Sequence, residues 1–450
     1  MNTRHYPYWP KRLSKTLTVP ETTLVDHLET TAKRYPNKTA IYYYGAAYSY
    51  KQLLDDVNAL AGYLQRKLSV QPGDRVLLYM QNSPQFVISY YAILRAEAIV
   101  VPINPMNTSD ELSFYVNDCE TKVGLVGQEL LDKATPLLGR TPLEHLIVAA
   151  YSDYASDDSP VPLPAEVAAP RRTAGGERLL LWADCLDAGL APLPYNGHVD
   201  DIAVLPYTSG TTGVPKGCIH PHRTVNANIV GAYYWGNVTS DSVALATLPF
   251  FHVTGMVHSM HTPIFAGAAM VLMTRWDRDA AARLIELHRC THWVNISTML
   301  IDFLANPALG RYDISSLASI SGGGRRCRRR SGKNCSSSPA SATLKATGCP
   351  RRFRKRTSTR RTGRNCNVSA FRRLTSTRAS LTRRRGESLA SAKSGRSSFV
   401  VRKCSAAITG VKKKRKKRSS SSTANGFSAP ATSGGWMRKD TFSSSTASNG

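Results

Sequence analysis

The chain has 450 residues and a formal charge of +28, a balance that taken whole points to a nucleic-acid partner. The charge is not spread evenly: residues 1–324 hold 25 Lys and Arg against 29 Asp and Glu, whereas residues 325–450 hold 34 against only Glu387 and Asp440. The basic excess belongs to the tail, and the mildly acidic head, long enough for one large domain or two smaller ones, gives no reason to expect nucleic acid.

In chain order, the opening MNTRHYPYWPKRLSKTL has no apolar core of signal-peptide length. Ser49 caps a helix predicted over YKQLLDDVNALAGYLQRKL, where Leu53, Val57, Leu60, Leu64 and Leu68 share one face. The apolar run Val76–Met80 reads as a strand. Ser83-Pro84 supplies an N-cap followed by proline at the first helical position, and the helix through Phe86–Arg95 leads to a second strand, Ile99–Ile103. This is a βαβ unit. Residues 151–200, rich in Pro, Ala and Asp, read as a surface excursion. Ile202–Leu205 reads as a short buried strand. Asp277 caps a helix from Arg278 to Arg289, Trp293–Ile296 reads as a strand, and Thr298–Leu304 as a helix. Such alternation predicts an α/β head with largely parallel sheets. The longest apolar stretch, Pro263–Met273, is too short to span a bilayer. Cys119, Cys185, Cys218 and Cys290 form no CxxC pair. We therefore expect a soluble, cytoplasmic head with reduced thiols and neither a disulfide framework nor a zinc site.

The chemistry concentrates after the Ile202–Leu205 strand, in IAVLPYTSGTTGVPKG. Gly210 and Gly213 let backbone N–H groups approach a polyanion closely. The hydroxyls of Thr208, Ser209, Thr211 and Thr212 can donate to phosphate oxygens, and Lys216 adds a positive charge three residues after Gly213. The GK[ST] ending of a Walker A loop is absent. A bare TSGTTG would also serve as a surface turn; the strand before it and the lysine after it favour a phosphate-gripping loop. His258 and His261, three apart on an expected helix, and His220 and His222, flanking Pro221, have no carboxylate or cysteine at ligand spacing. They read as packing or substrate-side groups, and no residue is assigned to a metal.

YTSGTTGVPKG resembles the signature of the AMP-forming adenylating enzymes: acyl-CoA synthetases, luciferases and nonribosomal-peptide adenylation domains. GDRVLLYMQNSPQFVISYYAILRAEAIVVPINPM is similar to that family's first βαβ region. TLPFFHVTGM, Thr247–Met256, resembles the segment whose histidine lies beside the acyl pocket, and SISGGG, Ser319–Gly324, the start of the segment that walls the acyl and adenine sites. PINPMNTSDEL and PFFHVTGM most resemble fatty acyl-CoA ligases. The resemblance implies an AMP-binding N-terminal domain over residues 1–324, built of parallel-sheet subdomains flanked by helices. It implies a reaction in which a fatty acid carboxylate attacks the α-phosphorus of ATP–Mg²⁺ to give acyl-AMP and pyrophosphate, and coenzyme A then displaces AMP. Both steps build negative charge on oxygen and need donors and cations held ready. Thr208, Ser209, Gly210, Thr211, Thr212, Gly213 and Lys216 carry over as the ATP phosphate loop. His252, Gly322 and Gly323 carry over to the acyl pocket. ATP, Mg²⁺ and coenzyme A are the implied substrates and cofactor. An aromatic acid, as in coumarate-type ligases, is the alternative substrate class, and chain length and oligomeric state stay open.

After Gly324 the resemblance stops. The family continues with a GYG-x-(S/T)-E-T segment for adenine and metal, a TGD segment for ribose, a DR-x-K hinge and a small domain bearing a catalytic lysine. None is present as written. The tail offers RRCRRR, RRFRKRTSTRRTGR and KKKRKKRSSSS, with few apolar residues and no sustained period, so we expect residues 325–450 to be largely disordered. Loss of one base in the glycine codons at the seam explains the change. Each original codon is then the last base of one present codon plus the first two of the next. KATGCPRRF, Lys345–Phe353, regroups to GYGLSETI, and Phe427–Gly450 to FFRTGDLGWMDEEGYFFIVDRIKR, which contains both the TGD segment and the hinge. Arg325–Arg330 regroups to AAMPEA, and Gly450, as GGA before a TGA stop, leads into methionine. Three family segments, in order and in one phase, lead us to expect that residues 325–450 are an out-of-frame reading with no true domain. The competing reading takes KKKRKKR, Lys412–Arg418, at face value, as a basic nucleic-acid-binding tail on a nucleotide-binding head. The tail's lack of interleaved aromatics for base stacking opposes it.

Overall fold

The computed structural model describes residues 6–173, 175–208 and 213–322. The expectations for residues 325–450 lie outside the described residues. Two sheets organise the rest. The strands are β1 Thr39–Tyr43, β2 Ala46–Ser49, β3 Arg75–Tyr79, β4 Ile99–Pro102, β5 Val123–Gly127, β6 His145–Ala149, β7 Leu179–Leu181, β8 Ile202–Val204, β9 His220–Pro221, β10 Val243–Ala246, β11 Ala269–Leu272, β12 His292–Asn295 and β13 Ser319–Gly322. One sheet runs β13-β12-β10-β11-β1-β2 and the other β7-β6-β5-β3-β4-β8-β9. Both are parallel except at one edge, where β1–β2 and β8–β9 pair antiparallel. This is the α/β architecture that the alternation of elements requires.

Local chemistry sets the helix starts. The Ser49 Oγ accepts from Gln52 N at 3.2 Å, and Ser49 N donates to Gln52 Oε1 at 2.8 Å, a capping box that opens the helix Tyr50–Arg66. Leu53, Val57, Leu60 and Leu64 on its inner face are buried, each burial contributing about 1.5–3 kcal/mol. Ser83 accepts from Phe86 N at 3.1 Å ahead of the helix Pro84–Arg95. Asp277 accepts from Ala280 N at 2.7 Å ahead of Arg278–His288. Every residue from Pro84 to Leu94 is buried, as expected of a helix apolar on all faces.

Two elements differ from the sequence reading. Residues 151–200 are not only an excursion: Leu179–Leu181 pairs parallel with β6 as the sheet's edge strand, and Trp182 and Cys185 beyond it are buried. Polar and proline-rich flanks hide this short strand in the sequence. The helix expected around His258 and His261 forms, but as a π-helix, Met256–His261, rather than the ordinary α form. Gly255 lies just before it, where a Cβ would overlap the Pro249 carbonyl oxygen. The chain folds back tightly there, and the wider turn takes up the geometry.

Candidate active site

Ligands of open parallel sheets bind beyond the carboxyl ends of the strands, and Thr208, His252 and Gly322 follow or end strands β8, β10 and β13. Past β8 the chain leaves the sheet edge as a ribbon. Leu205 N donates to Val100 O at 2.9 Å, Cys218 N to Pro206 O at 2.9 Å, and Tyr207 bridges Gly217. At the ribbon's end Thr208 N donates to Lys216 O at 3.0 Å, and Lys216 N donates to Thr208 Oγ1 at 3.3 Å. Thr208, Gly213 and Lys216 are exposed together at this tip. Gly213 has φ +139°, a backbone conformation that side chains resist, and a Cβ there would meet nothing within 4 Å. Ser209, Gly210, Thr211 and Thr212, between these feet, lie outside the described residues.

The tip is tied to the body through Tyr207. Its phenol donates to Asp118 Oδ2 at 2.6 Å and lies 3.0 Å from Cys119 Sγ, both at the end of the helix Ser109–Cys119. Its ring packs on Tyr115, 4.6 Å between centroids. Nothing in the local sequence marks Tyr207 for this role, because its partners Asp118 and Cys119 lie almost ninety residues away.

The acyl-side residues stand on the other sheet. His252 follows β10, is exposed, and accepts from Thr254 N at 3.2 Å through Nδ1. Its segment is held by Asn82, whose Nδ2 donates to Leu248 O at 2.9 Å and whose Oδ1 accepts from Phe250 N at 2.8 Å. Gly322 ends β13 opposite Asn295 of β12, and a Cβ on Gly322 would lie 2.6 Å from the Asn295 carbonyl oxygen. Glycine is therefore what lets β13 pass β12 at this rim. Gly323 lies outside the described residues. The structure thus gathers Thr208, Gly213 and Lys216 on one hairpin, and sets His252 and Gly322 on the rim of the other sheet.

Of the flagged histidines, His222 and His261 are buried, whereas His220 and His258 are half-buried; His27, which the sequence did not single out, is buried too. His222 Nδ1 accepts from Leu24 N at 3.1 Å, His27 Nε2 lies 3.0 Å from Thr22 Oγ1, and His261 Nδ1 lies 2.8 Å from the Tyr91 hydroxyl. Burial, and then the neighbouring imidazoles, lower His222 to about 4 and His261 to about 3. Burial lowers His27 to about 4 against the opposing pull of Asp26. Among the described residues, no three His, Cys, Asp or Glu side chains gather as a metal site. Nor is any described helix long and apolar enough to cross a membrane.

Two mainly parallel sheets, with the Thr208–Lys216 hairpin following β8, define an α/β protein. Residues 28–337 match the model of the AMP-binding enzyme family, and the chain belongs to that family. The long-chain-fatty-acid–CoA ligase of Bacillus subtilis (strain 168) is 32% identical over 331 residues, covering 70% of this chain and 57% of the relative. The enzyme of the same name from Salmonella typhimurium is 29% identical over 311 residues, covering 67% and 55%. This chain therefore spans little more than half the length of the curated relatives it matches. Among solved structures, the anthranilate CoA ligase AuaEII in complex with anthranoyl-AMP superposes with a TM-score of 0.61 at 25% identity, covering 71% of this chain and 58% of that one. A long-chain-fatty-acid-CoA ligase from Archaeoglobus fulgidus, at TM-score 0.58 and 24% identity, shares the fold.

Proposed function

We propose that the gene specifies an AMP-forming fatty acid–CoA ligase, acting in the cytoplasm on a long-chain acid, ATP and coenzyme A. The observation that carries the reading is the Thr208–Lys216 ribbon, in a chain whose similar curated relatives bear that activity in their names. In this reading Thr208–Gly213 and Lys216 grip the ATP phosphates, so that charge developing on the departing pyrophosphate meets donors already in place. His252 and the glycine rim at Gly322 and Gly323 border the acid.

The head, residues 1–324, holds the parts for binding ATP and the acid. Residues 325–450 as encoded lack the metal-holding acid, the ribose-binding aspartate, the hinge and the catalytic lysine. We infer that this chain does not complete the reaction, and that one restored base in the codons for residues 321–328 returns the missing half. The likeness to the anthranilate ligase favours a second reading, in which the acid is aromatic. Competition between palmitate and anthranilate, each with ATP, Mg²⁺ and coenzyme A, on the product of the frame-restored gene separates the two. Palmitoyl-CoA as the dominant product supports the first reading, and anthraniloyl-CoA replaces it with the second.

A further inference from the structure

We propose that Tyr207 is a positioning residue for nucleotide binding: its hydrogen bond to Asp118 aims the phosphate-gripping loop. The proposal rests on the reading of Thr208–Lys216 as that loop.

The ribbon needs such an anchor. It leaves the sheet after a single residue pair between β4 and β8, Val100 with Val204, and one further bond from Leu205 N to Val100 O. Its own pairing is short: β9 has two residues, and beyond it the two arms are joined by the Tyr207–Gly217 bridge, Cys218 N to Pro206 O and the Thr208–Lys216 bonds. A two-stranded ribbon of this length does not hold its direction unaided. Tyr207 lies at the base of the tip, one residue before Thr208. Its ring rests against Tyr115 and Phe114, centroids 4.6 and 6.3 Å away, and its hydroxyl reaches Asp118 Oδ2 at 2.6 Å. The short distance and the carboxylate acceptor make this one of the stronger hydrogen-bond types. The helix that carries Asp118 is itself fixed, opened by a Thr108–Glu111 capping box and buried through Leu112, Val116 and Cys119. A rigid helix thus sets the heading of an exposed tip.

The consequence falls on binding more than on folding. Thr208, Gly213 and Lys216 are exposed, so freeing the tip uncovers little apolar surface. A freed tip must instead be ordered by the ligand, and that ordering is subtracted from affinity. Phenylalanine at position 207 keeps the ring contacts and removes the hydroxyl, with its bond to Asp118 and its contact with Cys119. Asparagine at position 118 keeps an acceptor for the phenol, whereas alanine removes it.

The test measures binding of inorganic tripolyphosphate and of ATP to the full chain, beside thermal unfolding. Tyr207→Phe and Asp118→Ala are each expected to weaken both ligands roughly tenfold, the worth of one hydrogen bond of this kind, with melting temperature nearly unchanged. Asp118→Asn is expected to restore most of the affinity. The double variant Tyr207→Phe/Asp118→Ala is expected to lose no more than either alone. Unchanged affinity in Tyr207→Phe, or additive losses in the double variant, overturns the positioning role and leaves the loop reading standing. Failure of the unaltered chain to bind either ligand overturns both.

Discussion

Asn82 and Phe250 join the two sheets: the carboxamide oxygen at the end of β3 accepts from the Phe250 amide at 2.8 Å, across 168 positions of sequence. The same side chain donates to Leu248 O at 2.9 Å, and Asn82 is 6% exposed. It therefore satisfies both directions of a buried main-chain segment that would otherwise lack partners. That segment leads directly into His252.

Replacing Asn82 with Ala leaves a buried N–H and a buried C=O unpaired. The expected loss is about 2–4 kcal/mol, read as a lowered urea midpoint of the full chain. Asn82→Asp keeps the acceptor for Phe250 but sets a carboxylate beside the Leu248 carbonyl, and is expected to lose stability as well. A midpoint unchanged in both variants shows that the junction is not held this way.

Gly62 lies in the middle of the helix Tyr50–Arg66, where helix propensity alone would make alanine stabilising by about 1 kcal/mol. A Cβ at Gly62 would overlap the carbonyl oxygen of Leu190, on the segment after β7. Gly62→Ala is therefore expected to destabilise, by about 1–3 kcal/mol. Thermal unfolding of the variant decides the sign; a raised melting temperature shows that Leu190 does not pack there.

His27, His222 and His261 are neutral in the folded protein, and burial holds them at about 4, 4 and 3 against an ordinary 6.5. Unfolded chains bind protons that the native state refuses. The stability they contribute is present above pH 6.5 and is lost as pH falls from there toward 4. Glu129 has the opposite sense. Burial pushes it up to about 7, Tyr151 donates to its Oε1 at 2.9 Å, and its contribution is present below pH 4.5 and lost as pH rises through about 7. Three histidines outweigh one glutamate, so stability is expected to fall with acid below pH 6.5. Urea midpoints across pH 4.5–7.5 check this: His261→Gln is expected to flatten the fall and Glu129→Gln to steepen it. A midpoint that rises on acidification contradicts the assignment.

What the sequence made legible was local chemistry. Ser49, Ser83 and Asp277 announce their helices because a cap acts within three residues, and the Thr208–Lys216 loop announces itself by composition. What stayed hidden depends on distant partners. Tyr207 meets Asp118 across 89 positions, and Asn82 reads as an ordinary loop residue until Leu248 and Phe250 are beside it. β7 is three leucines in a polar stretch, and its pairing with β6 makes it a strand. The π-helix at Met256–His261 begins beside the close approach of Gly255 to Pro249, which no helical periodicity shows.

The proposed loss of one base at the seam can be tested by restoring it. The direct measurement expresses two genes that differ by a single restored G in the codons for residues 321–328 and assays both products for AMP release with palmitate, ATP, Mg²⁺ and coenzyme A. Turnover is expected from the restored product and none from the chain as encoded. Turnover at an ordinary rate by the encoded chain, or an inert restored product that is folded and binds ATP, contradicts it.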